Sequence, residues 1–399
     1  MAQTNPSFHL KNLTNLIFIG GTAMLLCSAA SAQTLQGITR DEIRIGTHLD
    51  LSGPISFWGV PQRNGHLMAV EEINADGGVH GRKIKLLVED NAYDPKRGVL
   101  ATQKLVQQDK VFALVGVLGT PVVMAQMPIA LEAGIPHMYP GSPSRMMFEP
   151  YHKLKFSLAT PYDETTKVGV RYFADKGKKR VAVIYQDDDF GKEIRDAVVA
   201  QAKASGMEIV AEAGYKRGDT VFSSQVARAR QGNPDLVLLG TIVRETVGVM
   251  TEAKKLGWKP DFLVTQAGCN QSVADLGRDN TEGLYALCQY VPFDFDNEPP
   301  AVKAWMVRYE KRFNVKPDVS AAMTYDMQKL TALALERAGK EVTVDNFIKA
   351  SESIRNWQNI FGSPPLTFGP NQRVGSHTAV LTQIQAGKFK RVSGALSLN

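Results

Sequence analysis

Short apolar runs and longer amphipathic stretches alternate along the chain from residue 43 onward. The runs at 43–46, 84–88, 111–115 and 135–139 predict strands, and the stretches between them, such as 62–74, predict helices. Strands that alternate with helices form parallel sheets with right-handed crossovers. This part of the chain therefore predicts one parallel α/β unit.

The same alternation begins again after residue 180. Predicted strands lie at 181–185, 207–211, 236–240, 262–265 and 284–291, and predicted helices lie at 191–204, 223–231, 244–256, 301–313, 320–338 and 344–353. The tail changes period, and its segments 366–368, 379–384 and 389–392 predict hairpin strands. The predicted fold class is α/β, with two doubly wound parallel-sheet lobes. In such sheets ligands bind beyond the carboxyl ends of the strands.

The first 32 residues have the pattern of an export signal. Lys11 precedes an apolar run at 16–26, and 30–32 supply the small residues that a signal peptidase needs. The run would span about 16 Å, half a bilayer, which argues against a membrane anchor. Cys27 follows a bulky leucine, which disfavours a lipoprotein. We expect cleavage before Gln33 and a soluble protein in the periplasm.

Composition and charge narrow the function. With 44% apolar and 22% charged residues the chain is an ordinary globular protein, which excludes disorder and coiled coil. The net charge of +6 is dispersed, so it predicts no nucleic-acid partner. Removal of the signal leaves Cys269 and Cys288 in an oxidising compartment, either as a disulfide or as two separate buried thiols.

Catalytic motifs are missing from the sequence. It contains no nucleophile elbow, no phosphate-binding lysine loop, and no His or Cys pair with metal-ligand spacing. The acids at 187–189 follow a predicted strand and form either a solvated turn or a cation site. We therefore expect a protein that is not an enzyme and that has no cofactor or metal.

Two loops after predicted strands carry binding chemistry. Phe57 and Trp58 lie on a tight loop after the first strand, where Trp58 either faces a ligand or packs under its own loop. Gly119 and Thr120 lie between a strand and a helix. The Thr120 hydroxyl either caps this helix or, with the unpaired amides of its first turn, binds an anion.

A third loop, at 140–145, follows the next strand. It brings the hydroxyls of Ser142 and Ser144 and the guanidinium of Arg145 to the same edge of the sheet. The three loops should therefore converge on one crevice with hydrogen-bond donors for a carboxylate.

These loops belong to an ordered set of motifs with a recognisable pattern. The motifs are Leu51–Pro54 with Trp58–Gly59, Glu71–Asn74 with Gly77–Gly78, Asp90 with Asp94–Pro95, Val115–Gly116, and Ile135–Pro136 with Pro140–Gly141. In this order they resemble the N-terminal lobe of the branched-chain amino-acid (leucine/isoleucine/valine) periplasmic binding proteins, the type I solute receptors of ABC importers. Weaker similarity includes Tyr185, Phe190–Gly191, Tyr325 and Phe368–Pro370.

The resemblance implies two lobes joined by three crossings, near 159–163, 290–293 and 360–363. The N-terminal lobe would comprise 33–160 and 292–361, and the C-terminal lobe 161–291 and 362–399. Hinge closure around a ligand would then present it to the membrane permease.

The resemblance also implies a ligand site. Trp58 matches a cleft tryptophan, Thr120 a carboxylate-binding hydroxyl, and Phe190 a cleft aromatic of the second lobe, with Ile242 or Val243 at another aromatic position. The expected ligand-binding residues are Phe57, Trp58, Tyr93, Gly119, Thr120, Ser142, Ser144, Phe190, Val243 and Ala267.

One position departs from the family. Ala267 stands where the amino-acid binders have an acid that pairs with the ligand's ammonium group. Burying an ammonium group without a counter-charge costs several kcal/mol. Either Asp50, Glu245 or an acid at 187–189 replaces it, or the ligand is an aromatic or other organic carboxylate without an ammonium group.

We therefore expect a monomeric substrate-binding protein of an ABC importer, whose partners are a small carboxylate or amino acid and the permease subunits. The alternative is a cytoplasmic ligand-sensing regulator of the amide-sensor type, which uses the same fold. The export signal argues against that alternative.

Overall fold

The computed structural model describes residues 35–398, which form two parallel-sheet layers flanked by helices. The strands are β1 Glu42–Leu49, β2 Lys83–Asp90, β3 Ala113–Val115, β4 His137–Met138, β5 Lys155–Phe156, β6 Arg180–Gln186, β7 Glu208–Tyr215, β8 Leu236–Gly240, β9 Asp261–Val264, β10 Tyr285–Cys288, β11 Ala379–Gln385 and β12 Lys388–Leu396.

The α-helices of the same range contact these sheets and each other. They are α1 Ser56–Ala75, α2 Pro95–Gln103, α3 Thr120–Glu132, α4 Tyr162–Asp175, α5 Asp189–Ala204, α6 Ser223–Gln231, α7 Val243–Lys255, α8 Gln271–Gly277, α9 Pro300–Phe313, α10 Val319–Arg337 and α11 Val344–Glu352. None of the helices that the structure describes has the length and apolarity to cross a membrane. The predicted export signal at 1–32 lies outside the described residues.

The two sheets confirm the predicted α/β fold class with two lobes. The first sheet has the order β2-β1-β3-β4-β5 and is parallel throughout. The second has the order β12-β11-β10-β9-β8-β6-β7, in which β6 to β10 are parallel and the tail adds the antiparallel hairpin β11–β12. We call the two sheets with their helices the first and second lobes.

Helices from late in the chain complete the first lobe. Trp305 of α9, Leu330 of α10 and Phe347 of α11 are fully buried in the same core as Ile45 of β1. Gly65 of α1 makes a close approach possible, because a Cβ atom there would lie 2.1 Å from the carbonyl oxygen of Ala321. The chain therefore returns from the second lobe to the first before α9.

Three chain segments cross between the lobes side by side. The amide of Thr160 donates to Gln289 Oε1 at 3.1 Å, and its hydroxyl donates to the carbonyl of Thr378 at 2.6 Å. Leu366 and Phe368 are buried in the core of the first lobe. We therefore propose that the third crossing follows Val374, later than the predicted 360–363.

The structure joins Cys269 and Cys288 in a disulfide, with Cα atoms 5.7 Å apart. Cys269 follows β9 and Cys288 ends the neighbouring strand β10. The bond therefore ties together two adjacent strand ends of the second lobe, on the side that faces the first.

Candidate functional site: the cleft between the lobes

Asp50 organises the loop after β1 and the start of α1. Its carboxylate accepts hydrogen bonds from the amides of Ser52, Gly53 and Ile55, the last at 2.7 Å. Helix α1 then begins at Ser56, six residues earlier than predicted, and continues through Pro61. The prediction that Phe57 and Trp58 lie on a loop is therefore wrong, because both lie in the first turn of this helix.

A glycine fixes the geometry at the start of α3. Gly119 has φ +99°, a conformation that favours glycine, and a Cβ atom there would lie 2.8 Å from the ring of Tyr93. This close approach lets Tyr93 pack against the loop before α3. Both residues thereby reach the cleft.

The hydroxyl of Thr120 pairs with that of Ser142. The two oxygens are 2.6 Å apart, and both side chains are buried. Thr120 is the first residue of α3 and its side chain does not cap the helix, so that alternative is wrong. The pair places two hydroxyls from adjacent strand-to-helix connections at one point of the cleft.

A cavity of about 70 Å³ lies between the lobes at this point. The first lobe and its crossing contribute Ile55, Trp58, Gln62, Tyr93, Leu118, Gly119, Thr120, Pro140, Gly141, Ser142, Pro143, Ala159, Met323 and Met327. The second lobe contributes Tyr162, Phe190, Ile242, Gln266 and Ala267. The wall is mainly apolar, with hydroxyl and amide groups at a few positions.

Seven of the ten expected binding residues line this cavity. They are Trp58, Tyr93, Gly119, Thr120, Ser142, Phe190 and Ala267. They come from both lobes and from segments far apart in sequence, which is the arrangement that a ligand held between two lobes requires.

The other three expected residues lie outside the lining. Phe57 packs under the guanidinium of Arg244, 5.5 Å from its ring centroid. Ser144 accepts a hydrogen bond from the amide of Met146 and so begins a short helical turn. Val243 is buried in a core of the second lobe, and its neighbour Ile242 takes the place in the cavity.

Arg145 also does not supply a free guanidinium. It forms ion pairs with Asp163 at 2.8 Å, with Glu149 at 2.9 Å and with Glu164 at 3.0 Å. Its positive charge is therefore matched by three carboxylates, and it does not line the cavity.

Direct contacts join the lobes around the cavity. The indole Nε1 of Trp58 donates to the carbonyl of Ala267 at 3.2 Å, and Gln186 Nε2 donates to the hydroxyl of Tyr93 at 3.2 Å. The guanidinium of Arg217 lies 5.4 Å from the centroid of the Tyr93 ring. These contacts hold the cleft in a closed form.

None of the described residues that line the cavity is acidic or basic. Asp50, a predicted substitute for the missing acid, is occupied by loop amides. Asp188 caps α5, and Asp187 pairs with Lys192 at 3.0 Å. The acids at 187–189 therefore belong to the start of α5 rather than to the cavity.

Glu245 is the exception among the predicted acids, because it lacks a full set of partners. Its side chain is 2% exposed, and one carboxylate oxygen has no hydrogen-bond partner. Burial raises the pKa of Glu245 to about 7. It lies in the first turn of α7, three residues after Ile242, but does not line the cavity.

Sequence reasoning missed several lining residues. Gln62 lies one turn after Trp58 on α1, and the spacing of four residues was the available signal. Met323 and Met327 come from α10, and nothing in the local sequence indicates that this helix packs beside α1. Across residues 35–398 we find no group of side chains arranged to hold a metal ion.

Comparisons with known proteins point to one family. A family model described as Periplasmic binding protein matches residues 42–388. The leucine-, isoleucine-, valine-, threonine- and alanine-binding protein of Pseudomonas aeruginosa is 24% identical over 334 residues, which are 84% of this chain and 87% of that protein.

Solved structures share the fold across almost the whole chain. A fatty acid ABC transporter substrate-binding protein from Thermomonospora curvata has a TM-score of 0.82 at 24% identity, covering 91% of this chain and 94% of that one. A solute-binding protein of an ABC transporter from R. palustris, solved in complex with benzoate, has a TM-score of 0.77 at 19% identity, covering 88% and 95%.

Proposed function

The chain belongs to the periplasmic binding protein family, and we propose that it is the substrate-binding component of an ABC importer for a small organic carboxylate. Members of the family are binding proteins for transporters, so the prediction that this chain is not an enzyme is confirmed. The proposal places the protein in the periplasm as a monomer. There it delivers its ligand to permease subunits.

The lining of the cavity supports a carboxylate without an ammonium group. Ala267 offers only a methyl group at the position expected to hold the ammonium-binding acid, and the described lining contains no other acid. An ammonium group in this apolar site would be desolvated without a counter-charge, at a cost of several kcal/mol. A carboxylate instead finds the Thr120 and Ser142 hydroxyls beside the first turn of α3, whose amides and dipole favour negative charge.

The apolar part of the wall supports a hydrophobic body for the ligand. Trp58 and Phe190 line the cavity from opposite lobes, and Met323 and Met327 add flexible apolar surface. Aromatic walls with a few polar groups are typical of small-ligand sites. We propose an aromatic acid related to benzoate. The relative solved with benzoate makes this the first compound to test.

A branched-chain amino acid is the second candidate, and Glu245 is the observation that favours it. This acid has one unpartnered oxygen and lies in the first turn of α7, three residues after the lining residue Ile242. The P. aeruginosa relative is named for binding amino acids, so amino acids are included in the test.

A thermal-shift screen of the purified protein with benzoate, cinnamate, L-leucine and L-isoleucine separates the two candidates. A ligand at 100 times its Kd adds about 2.7 kcal/mol of stability. We expect a shift with benzoate or cinnamate and none with the amino acids. A shift with leucine that disappears in Glu245→Gln would overturn the proposal in favour of the second candidate.

A further inference from the structure

Gln62 is a buried polar side chain whose amide group has no protein partner. The residue is fully buried, both Nε2 and Oε1 lack hydrogen-bond partners, and the side chain lines the cavity. A buried amide without partners costs free energy comparable to a lost hydrogen bond or more. Because the side chain lines the cavity, a polar group that enters the cavity can satisfy it.

The backbone at Gln62 is held firmly. The hydroxyl of Thr324 donates to the carbonyl oxygen of Gln62 at 2.8 Å, so α10 fixes this turn of α1. On the other side, a Cβ atom at Gly141 would lie 3.2 Å from Gln62 Oε1. The amide therefore lies against the loop that carries Ser142, and it belongs to the same polar corner as the hydroxyl pair.

The hydrogen-bonding capacity of this corner favours an acceptor. Thr120 and Ser142 bond to each other, which uses one hydroxyl proton and leaves the other free. The amide of Gln62 adds two N–H donors and one acceptor. The corner therefore offers three free donors, one O–H and two N–H groups, and a carboxylate, which only accepts, can take all three.

We propose that Gln62 contacts the ligand head group and determines the specificity of the site for a carboxylate without an ammonium group. This inference rests on the proposed function and adds the residue that enforces it. A neutral amide supplies N–H donors to a carboxylate without supplying the negative charge that an ammonium group requires.

The test is a change in selectivity, measured by calorimetry with benzoate and L-leucine at pH 8. Gln62→Glu places a carboxylate in the corner, which repels benzoate and pairs with the ammonium group of leucine. We expect the ratio of leucine affinity to benzoate affinity to rise at least 100-fold. Gln62→Leu removes the amide without adding charge, and we expect it to weaken benzoate binding at least tenfold.

Gln126→Glu is the matched control. Gln126 is also fully buried, but its amide is bonded to Thr102 and His137 and does not line the cavity. Folded Gln126→Glu protein should have the same ratio of leucine affinity to benzoate affinity as the wild type. If wild-type protein binds benzoate and both Gln62 variants keep its affinity and the ratio, the inference is wrong. If wild-type protein binds leucine and does not bind benzoate, the proposed function itself is wrong.

Discussion

At the scale of single residues, Trp58 connects binding to closure. Its ring lines the cavity from the first lobe, and its Nε1 donates to the carbonyl of Ala267 in the second. Replacing Trp58 by Ala removes apolar contact with the ligand and one hydrogen bond between the lobes. Together these are worth about 2 kcal/mol or more. We expect Trp58→Ala to weaken benzoate binding at least tenfold in a calorimetric titration.

Trp258 supplies the control for this prediction. It packs edge-to-face on Phe262 at 5.5 Å and does not line the cavity. Trp258→Ala should reduce stability and leave the affinity unchanged. Equal affinities for wild type and Trp58→Ala would remove the indole from the binding site.

Some residues of the site could be predicted from the sequence, and others could not. Thr120 and Ser142 were found because polar residues that follow parallel strands meet at one edge of a sheet. Gln62 was not found, because a glutamine in the first half of a helix resembles any surface residue. Only the packing of α10 against α1 turns it inward and buries it.

At the scale of elements, the start of α3 depends on a glycine. Gly119→Ala forces φ +99° on a residue with a side chain and drives its Cβ into the ring of Tyr93. We expect a loss of about 3 kcal/mol in the free energy of unfolding by urea. We also expect weaker benzoate binding, since Tyr93 lines the cavity.

Gly134, just after the same helix, is the matched control. It has φ +72°, but a Cβ atom there would meet no atom within 4 Å. Gly134→Ala should cost about 1 kcal/mol, from the backbone conformation alone, and leave binding intact. Equal losses in the two variants would show that the contact with Tyr93 contributes nothing.

The elements themselves could be predicted well where the apolar pattern is continuous. The strand predicted at 236–240 matches β8, whose five residues are all buried. The start of α1 was predicted too late, because Gly59 and Pro61 are residue types that are common in loops. In the structure Asp50 anchors the preceding loop through the amide of Ile55, and the helix begins at the next residue.

At the scale of the whole molecule, the sequence predicted two lobes but not their closed arrangement. Closure depends on pairs such as Gln186 with Tyr93, whose members lie 93 residues apart. Nor did the pattern show that Leu366 and Phe368 pack in the first lobe, because a short apolar segment fits either core. The hinge is therefore defined by packing rather than by local sequence.

Glu193 is the group through which we expect pH to affect closure. It lies on α5 of the second lobe, and its Oε1 accepts the amide proton of Arg145, in the first lobe, at 2.8 Å. Burial raises the pKa of Glu193 to about 7, although hydrogen bonds from the Arg145 amide and the Ser144 hydroxyl oppose this shift. The nearby charges are Asp163, which adds to the rise, and the Arg145 guanidinium, which opposes it.

We expect opening of the cleft to expose Glu193 to water and to lower its pKa toward the ordinary value of about 4.5. An acid whose pKa is higher in the closed form binds protons on closure, so its contribution to closure is complete below pH 4.5 and is lost as pH rises through 7. We expect benzoate affinity to fall about tenfold between pH 6 and pH 8, because each unit of pKa shift corresponds to about 1.4 kcal/mol.

Glu193→Gln should bind with a weaker pH dependence, since its neutral amide keeps the same charge throughout. Titrations at pH 6, 7 and 8 measure both slopes. Parallel slopes for the two proteins would show that Glu193 does not couple protons to closure, leaving buried Glu245 as the group to replace next.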